Sequence, residues 1–322
     1  MYQHKFLITY YTLTPLHMGA GSSVSYIDLP IQRERHTSFP MMAGSGIKGV
    51  FRNHAGRVWN NKEDVNRIFG PEDGNESSSC IAFTDARILF YPVRSVKGIF
   101  AWITCPFVLK RFKEDLKSIG INNENFNFPE LSQDTKIIIS NDSLLKIDDK
   151  KVGLEEFVFE VENNNANNII NSIKKEYLPG IETISDFEKK LAVVSDNVFT
   201  DLVNYATEVR TRIKIDQLTG TAQGKALFTV EMVPSEAIFY SLLFVNETKG
   251  NGNSSQQHNS NSTSKDTDNI ENKINELFNV SSGDNGNTKE TVLQFGGDET
   301  TGSGFVSLRV YYTRNNDCLF KS

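Results

Sequence analysis

Hydrophobic and polar residues follow two different patterns along the first sixty positions. The run KFLITYYTL at 5–13 is almost entirely apolar or aromatic and ends before a Thr-Pro pair, which predicts a buried β-strand. At 45–59 the apolar residues recur every three to four positions instead, which predicts a helix with one buried stripe. Lys48 and Arg52 share another side of this helix. The stripe contains Ile47, Val50, Phe51, Ala55 and Val58.

The middle of the chain contains further predicted elements. Residues 81–93 and 99–105 are apolar enough to form strands, and 107–119 predicts a short helix. The polar stretch at 60–79 predicts a loop or insertion. Residues 122–196 are acidic and rich in asparagine, so we expect an elaboration on the core rather than the core itself. The inner side of the short helix would contain Phe107, Val108, Phe112, Leu116 and Ile119.

A long hairpin is predicted at 206–233. Apolar residues and one threonine, at odd positions from 209 to 215, alternate with charged residues at even positions, so three cations share one face of the strand. Turn residues follow at 219–224, and 226–233 return as the second strand. The basic face suits either a phosphate partner or an exposed edge strand that charge protects from aggregation. The three cations are Arg210, Arg212 and Lys214.

Two segments near the end of the chain have unusual composition. Residues 247–265 form a polar low-complexity tract that buries no apolar area, so we expect a flexible insertion. After a short predicted helix at 270–278, residues 292–312 predict a strand, the glycine-rich loop GGDETTGSG at 296–304, and a second strand. The loop matches neither the dinucleotide-binding spacing nor the P-loop, so neither motif is assigned.

The composition is that of an ordinary globular protein. Hydrophobic residues make up 38% of the 322 positions, and no run of about 18 apolar residues is present that would span a membrane. The first residues lack the pattern of a signal peptide. Three widely spaced cysteines, Cys80, Cys105 and Cys318, fit neither a zinc motif nor a disulfide framework. We therefore expect a cytoplasmic protein with no membrane partner.

The net charge of −6 is unevenly distributed. Residues 1–60 contain six lysines and arginines against two acidic residues, so this segment is basic although the whole chain is acidic. A nucleic acid responds to the local potential rather than to the net charge. This uneven distribution of charge is consistent with phosphate binding and equally with a chance fluctuation in composition. By itself it does not decide between the two.

The segment TPLHMGAGSSVSYIDLPIQRERHTSFP at 14–40 is an irregular loop that gathers the polar chemistry at the start of the chain. We call it the opening loop. Asp28 suits an Asx-type turn, and His17 suits a loop histidine that caps backbone groups. Three further side chains either pair with Glu34 or face a phosphate, which arginine binds bidentately. They are Arg33, Arg35 and His36.

The sequence Gly44-Ser45-Gly46 directly precedes the predicted basic helix. Backbone N–H groups at a helix N-terminus are free and lie at the positive end of the helix dipole, where a phosphate can bind. Ser45 and Gly46 with Lys48 and Arg52 therefore form a candidate phosphate site. The alternative is an amphipathic surface helix with a solvated basic face.

Four of these segments together resemble the backbone subunit of type III-B (Cmr) CRISPR effector complexes, which belongs to the RAMP superfamily of RNA-binding proteins. They are the opening loop, the following MMAGSGIKGVFR, the hairpin VRTRIKIDQLTGTAQGKALFTVEMVPSE and the closing FGGDETTGSGF, in the order of the family. The resemblance covers 5–60 and 195–312. The opening motif is the most specific of the four.

This resemblance implies an α+β fold with a modified ferredoxin-like (RRM-like) palm, an inserted fingers region and a thumb β-hairpin. Residues 1–121 and 195–322 would form the palm, with the thumb at about 206–233. Residues 122–194 would be the fingers-type elaboration and 247–265 a flexible insertion. Copies in the family stack head-to-tail along a guide RNA, and such contacts build an open helix.

The resemblance also implies a guide-RNA-binding filament subunit that assembles with other Cmr subunits. It would cleave a single-stranded target RNA, once this is paired with the guide, at regular intervals. A divalent metal ion, Mg²⁺ or Mn²⁺, would be the cofactor. By position Asp28 would be catalytic and metal-binding, with His17 nearby, and Glu231 and Glu236 are candidate supporting acids. The RNA-binding candidates are Lys48, Arg52, Ser45, Gly46, Arg33, Arg35, Arg210, Arg212 and Lys214.

One feature departs from the family. Closing loops of RAMP proteins usually carry a lysine or arginine, whereas this one carries Asp298 and Glu299, which argues against an RNA contact by the loop. Two alternatives to the nuclease are a purely structural guide-binding subunit and a stand-alone RRM-like RNA binder. The presence of Asp28 favours the nuclease.

Overall fold

The computed structural model describes residues 2–72, 78–121, 130–166, 173, 177–178, 186–216, 219–220, 222–246, 270, 272–278 and 291–313. The helices are α1 (Gly44–Trp59), α2 (Lys62–Phe69), α3 (Pro106–Ser118), α4 (Phe187–Lys190) and α5 (Asp196–Tyr205). The strands are β1 (His4–Thr12), β2 (Met41–Met42), β3 (Ile81–Phe83), β4 (Ala86–Arg94), β5 (Phe100–Thr104), β6 (Lys136–Ile139), β7 (Lys146–Asp148), β8 (Lys151–Leu154), β9 (Phe157–Asn165), β10 (Leu191–Val193), β11 (Glu208–Ile215), β12 (Ala222–Met232), β13 (Ile238–Val245), β14 (Thr291–Gln294) and β15 (Phe305–Thr313).

Within the described residues one large mixed sheet organises the fold. Its strand order is β14-β15-β1-β13-β4-β5-β10-β6-β9-β8-β7, with β2 beside β4 and β3 beside β13. The β5–β10 and β6–β9 pairs are parallel, whereas β1 pairs antiparallel with both β13 and β15. The predicted α+β class is confirmed. No helix in the described ranges is both long and apolar enough to cross a membrane.

Helix α1 packs through the predicted stripe. Phe51 stacks on Phe83 of β3 with ring centroids 5.2 Å apart, and Phe278 packs edge-on against the Phe51 ring at 5.1 Å. The prediction for Val58 is wrong: it is 39% exposed, because the buried side of α1 runs through Phe51 and two further residues at intervals of four. Those residues are Ala55 and Trp59.

Helix α3 also differs from its prediction at one position. Phe107 lies in its first turn and is 39% exposed, so its assignment to the inner side is wrong. Leu109 is buried instead, and Phe112 packs edge-on against Tyr240 of β13 with ring centroids 4.7 Å apart.

The predicted loop at 60–79 contains helix α2, so this prediction is wrong. The side chain of Asn61 caps the helix by accepting hydrogen bonds from the amides of Glu63 and Asp64, at 3.0 and 3.4 Å. Only three of its eight residues are apolar, and although they follow helical spacing, so short a run does not stand out from the polar residues around it. The buried ones are Val65, Ile68 and Phe69.

The predicted strand at 81–93 is divided into β3 and β4 by Thr84 and Asp85. The break has a function in the fold, because the Asp85 carboxylate accepts a hydrogen bond of 2.8 Å from the Gly44 amide at the start of α1. The strand predicted at 99–105 is β5.

Strands β6 to β10 lie within the predicted elaboration at 122–194, and they continue the large sheet beyond β5. The division into palm and fingers stays a prediction. The segment predicted to be a flexible insertion at 247–265 lies outside the described residues.

The predicted hairpin is confirmed, and β11 and β12 form a two-stranded sheet of their own. Residues 270 and 272–277 are helical, and β14 and β15 flank the glycine-rich closing loop, as predicted. Cys80 and Cys105 are buried and unpaired, whereas Cys318 lies outside the described residues.

Candidate functional site

Residues 229–233 of the hairpin and residues 16–31 of the opening loop meet in a contact that we call the junction. Leu16 and Val233 exchange two backbone hydrogen bonds, of 2.8 and 2.9 Å. Further along the loop, the Leu29 amide donates to the Thr229 carbonyl and the Glu231 amide donates to the Leu29 carbonyl, both at 3.0 Å. One strand therefore fixes the loop at both ends of the segment that contains His17 and Asp28.

Asp28 lies at the junction with one carboxylate oxygen bound. Its Oδ2 accepts hydrogen bonds from the amide and the hydroxyl of Thr229, at 2.8 and 2.9 Å. The Thr229 amide bond, followed by the hydroxyl bond, lowers the pKa of the Asp28 carboxyl below its ordinary value. Oδ1 has no hydrogen-bond partner among the described residues, and the side chain is partly exposed. Asp28 is thus an ionised carboxylate with one free acceptor oxygen.

His17 is buried at the same strand. Its Nδ1 lies 2.7 Å from the Glu231 carbonyl oxygen, which can only accept, so Nδ1 carries the proton. The His17 carbonyl accepts a hydrogen bond of 2.9 Å from the Gly297 amide of the closing loop. Gly296 has a φ of +79°, and a Cβ there would fall 2.3 Å from the His17 carbonyl oxygen. The closing loop therefore positions the His17 backbone.

Glu231 and Arg33 form the buried ion pair of the junction. Glu231 is 3% exposed, and its Oε1 lies 2.6 Å from Nη2 of Arg33. Its Oε2 accepts a hydrogen bond of 3.0 Å from the Ile31 amide. Nη1 of Arg33 donates to the Ser38 carbonyl at 2.9 Å and to Oδ1 of Asn204 at 3.0 Å. Arg33, a candidate RNA contact from sequence, thus joins the loop, α5 and β12.

Glu236 is not brought to this group of side chains. It accepts a hydrogen bond from the Tyr11 hydroxyl of β1, and its backbone carbonyl accepts one of 2.8 Å from Nε1 of Trp102. Burial raises the pKa of its carboxyl above the ordinary value. Of the two candidate acids, Glu231 contacts the junction and Glu236 supports the strands beside it.

Lys48 and Arg52, the two candidate RNA contacts of α1, differ in what they contact. Arg52 donates to the Gly70 carbonyl and, at 2.7 Å, to Oδ1 of Asn66, so its guanidinium binds α1 to α2. Lys48 has no hydrogen-bond or ion-pair partner among the described residues. Partial burial, and then the charge of Arg52, lower the pKa of Lys48 below its ordinary value. Of these two candidates, Lys48 is therefore the one that is free to bind a phosphate.

Of the free amide groups in the first turn of α1, one is already bound by a side chain. The Gly44 amide is bound by Asp85, and a Cβ on Gly44 would fall 2.7 Å from the Phe83 carbonyl oxygen, so close packing against β3 explains this glycine. The amides of Ser45 and Gly46 have no acceptor among the described residues, and Ser45 is exposed. These two amides keep the geometry of an anion site, next to a carboxylate.

The basic face of the hairpin is largely paired within the chain. Arg210 lies 2.8 Å from the Glu208 carboxylate on its own strand. Arg212 lies 2.7 Å from Oδ1 of Asp298 in the closing loop. The acidic residue that departs from the family therefore neutralises a hairpin cation. The side chain of Lys214 is outside the described part of the structure, and Arg35 is exposed with no partner in that part.

Sequence reasoning missed Thr229, the residue that binds Asp28. Thr229 lies directly opposite Thr211 in the hairpin, and nothing in its neighbourhood along the chain signals a contact 201 residues away. It also missed Asp201, Asn204 and Tyr205 of α5, which line a cleft next to the opening loop. The apolar period of α5 marks its buried side but not the chemistry of the exposed one.

Comparisons with known proteins agree with this architecture. The sequence pattern of the RAMP superfamily matches residues 9–307. The chain belongs to the RAMP superfamily. It is 38% identical, over 316 residues and 97% of each chain, to the CRISPR system Cmr endoribonuclease Cmr4 of Pyrococcus furiosus. The resemblance predicted from the four sequence segments is confirmed.

Solved structures extend the similarity to the fold. The crystal structure of oligomeric Cmr4 from Pyrococcus furiosus has a TM-score of 0.68 and 33% identity, over 97% of this chain and 99% of that one. A chain of the type III-B Cmr-beta complex bound to cognate target RNA, solved by cryo-EM, has a TM-score of 0.68 and 25% identity, over 96% and 98% of the two chains.

Proposed function

We propose that this chain is the guide-RNA-binding filament subunit of a type III-B CRISPR interference complex and that it cleaves the paired target RNA at regular intervals. The observation that carries this proposal is the 38% identity, over 97% of both chains, to a protein named as an endoribonuclease. The junction supplies a carboxylate with a free oxygen, Asp28, on the same strand that holds His17. A carboxylate and an imidazole can serve as general base and general acid in RNA cleavage.

RNA can be cut by its own 2′-hydroxyl, which attacks the adjacent phosphorus. The bond from the 2′-oxygen to phosphorus forms, the bond from phosphorus to the 5′-oxygen breaks, and the products end in a cyclic phosphate and a 5′-hydroxyl. Oδ1 of Asp28 accepts the 2′-hydroxyl proton, and His17, when protonated at Nε2, donates a proton to the leaving 5′-oxygen. The attacking and leaving oxygens must lie in line, so the target strand has to be splayed at this point.

The junction also fits a divalent metal ion held through one carboxylate. Among the described residues, no three His, Cys, Asp or Glu side chains are grouped to hold a metal. Mg²⁺ does not need such a group, because it keeps several waters and binds one or two carboxylates plus substrate phosphates. Oδ1 of Asp28 is the atom that would hold Mg²⁺ or Mn²⁺ as an alternative to accepting the proton. The ion would supply charge neutralisation at the scissile phosphate.

The proposed guide contacts follow from which cations are already occupied. Lys48 and Arg35 reach a phosphate without breaking an internal contact, and the free amides of Ser45 and Gly46 lie next to Lys48 in sequence. Lys214 remains a candidate from its place in the alternating pattern. In this proposal four arginines mainly position the opening loop, helix α1 and the hairpin. They bind RNA only through those guanidinium N–H groups that have no partner within the chain. The four arginines are Arg33, Arg52, Arg210 and Arg212.

In the same proposal the large sheet contains the RRM-like palm, the hairpin is the thumb, and 122–194 is the fingers region. Copies stack head-to-tail along the guide in the cytoplasm, together with other Cmr subunits. Base pairing reads the target sequence, while the protein binds phosphates and the shape of the duplex.

The experiment that tests the nuclease is target cleavage by a complex reconstituted with Asp28→Asn. Asparagine keeps the size and the bond from the Thr229 amide but removes the charge, so we expect guide and target binding to persist. Cleavage should fall by about 100-fold or more, the range of a lost acid–base group. The matched control is Asp149→Asn in the exposed turn between β7 and β8, which changes the net charge equally.

A wild-type cleavage rate with Asp28→Asn would contradict the assignment. It would support the second candidate, a structural guide-binding subunit. In that case the Asp28–Thr229 contact would serve only to fix the opening loop to the hairpin.

A further inference from the structure

A cleft beside Asp28 is not used by the proposed chemistry. Residues of the opening loop, the end of α5 and Glu231 line an open cleft of about 320 Å³. This volume is within the range of roughly 300–1,000 Å³ that is typical of small-molecule sites. Ile27 and Pro30 line the cleft on either side of Asp28 in the opening loop, so the cleft borders the loop segment that carries the proposed catalytic carboxylate.

Two aromatic rings border the cleft and are left open to solvent. Tyr26 of the opening loop is 83% exposed and Tyr205, the last residue of α5, is 81% exposed. Rings this exposed add little to the packing of the fold. The Tyr26 carbonyl lies 3.2 Å from the Thr229 hydroxyl, which shares its single proton between this carbonyl and the Asp28 carboxylate, so the Tyr26 backbone is held at the junction. Exposed, positioned tyrosines are the usual platforms on which unpaired bases stack.

The polar groups of the inner part of the cleft are bonded to one another. Arg33 pairs with Glu231 and donates to Oδ1 of Asn204 at 3.0 Å, and Nδ2 of Asn204 donates to the Thr200 carbonyl at 2.8 Å. The charges of Arg33 and Glu231 cancel. This part of the cleft is therefore neutral and holds its shape without a ligand.

Asp201 supplies the remaining charge of the cleft. It is exposed, lies one helical turn before Tyr205 and so shares its side of α5, and has no partner among the described residues. A lone carboxylate repels phosphate and accepts N–H donors. Guanine is the base with a ring N–H and an amino group side by side on its Watson–Crick edge, which two carboxylate oxygens can accept together.

We propose that this cleft binds an unpaired nucleobase of the target RNA next to the cleaved linkage, stacked on Tyr26 and Tyr205, and that Asp201 gives it a preference for guanine. This inference rests on the proposed function, since the base belongs to the RNA that Asp28 cleaves. A base enters only when it leaves the duplex, because pairing occupies its Watson–Crick edge. Binding the displaced base would hold the target strand in the splayed state that in-line attack needs.

The experiment uses four targets that differ only at the unpaired nucleotide next to the cut: guanosine, inosine, uridine and an abasic site. Single-turnover cleavage and equilibrium affinity are measured with the reconstituted complex. We expect the guanosine target to be cut fastest, the inosine target, which lacks only the amino group, several-fold more slowly, and the abasic target slowest. Asp201→Ala should remove the difference between guanosine and inosine. Tyr205→Ala should slow cleavage of the three targets with a base by about tenfold and leave the abasic target unchanged.

Equal rates and equal affinities for the four targets would overturn the proposal while leaving cleavage by Asp28 intact. An Asp201→Ala complex that slows all four targets equally, the abasic one included, would also overturn it, because the effect would then be structural. A guanosine preference in affinity without cleavage of any target would contradict the nuclease and still support the cleft.

Discussion

The hairpin has one alternating pattern along its length but two different environments. At the junction, Glu231 is 3% exposed and its neighbour Val230 is 1% exposed. Toward the tip, Ile213 and Leu227 face each other across the two strands and are 49% and 64% exposed. The opening loop covers the first pair, and no described element covers the second. Apolar residues in a strand therefore indicate which side is suited to burial, and a packing partner decides whether burial takes place.

The two glutamates of the hairpin sharpen this comparison. Glu231 is a buried partner of Arg33, whereas Glu208 is a half-exposed partner of the exposed Arg210. The two ion pairs are similarly short, at 2.6 and 2.8 Å. Removing one partner of a buried pair leaves an uncompensated charge, while a surface pair contributes little. Glu208 lies opposite Met232 and Glu231 opposite Val209, so both glutamates are at the junction end of the hairpin. The same chemical change should therefore have different effects there, depending on burial alone.

The largest expected effect is that of Glu231→Ala on stability. It should reduce the free energy of unfolding by about 3 kcal/mol, since Arg33 loses its partner and the Ile31 amide loses its acceptor. The control Glu208→Ala should change it by about 0.5 kcal/mol or less. Urea unfolding followed by circular dichroism measures both. Similar losses for the two variants would mean that the buried ion pair of the junction stabilises the fold no more than the surface pair beside it.

A smaller effect is expected on the titration of Asp28 when Thr229 is replaced by valine. The folded pKa of Asp28 is lowered, so its contribution to stability is present above the unfolded pKa and is lost as the pH falls through the folded pKa. Thr229→Val removes the hydroxyl bond but keeps the larger contribution of the amide bond. The pKa of Asp28 should rise and remain below its ordinary value, as measured by NMR titration of the carboxyl carbon.

The cross-strand neighbour supplies the control for this titration. Thr211 lies directly opposite Thr229 and is exposed, so Thr211→Val makes the same substitution without touching Asp28. We expect it to leave the titration of Asp28 unchanged. An identical Asp28 pKa in the wild type and in Thr229→Val would show that the hydroxyl bond does not lower it.

The smallest effect on stability is expected at the tip. Ile213→Ser combined with Leu227→Ser replaces two exposed side chains, so the free energy of unfolding should change by about 0.5 kcal/mol or less. In the reconstituted complex the same variant should weaken target binding if the hairpin is the thumb, because its exposed apolar side chains are then a contact surface for bases. A large loss of stability would instead show that the tip is packed within the chain.

Local patterns predicted the elements that are long and regular. Each of three elements was predicted from a local pattern alone. These patterns are the recurrence of apolar residues every three to four positions in α1, the apolar run of β1 and the alternation of β11. Helix α2 was missed because it spans only eight residues, and its cap Asn61 and three apolar residues stand within a stretch that is otherwise polar. At the site, sequence pointed to the opening loop and the hairpin but not to their contact.

The sequence by itself determined the family, the main elements and the candidates Asp28 and His17, because motifs and periods are read over a few residues. Tertiary structure alone decided which charges are free. Asp28 meets Thr229 across 201 positions, Arg33 meets Glu231 across 198, and Arg212 meets Asp298 across 86. An arginine has the same side chain whether it is paired or unpaired, so only the path of the folded chain determines whether its charge is available to RNA.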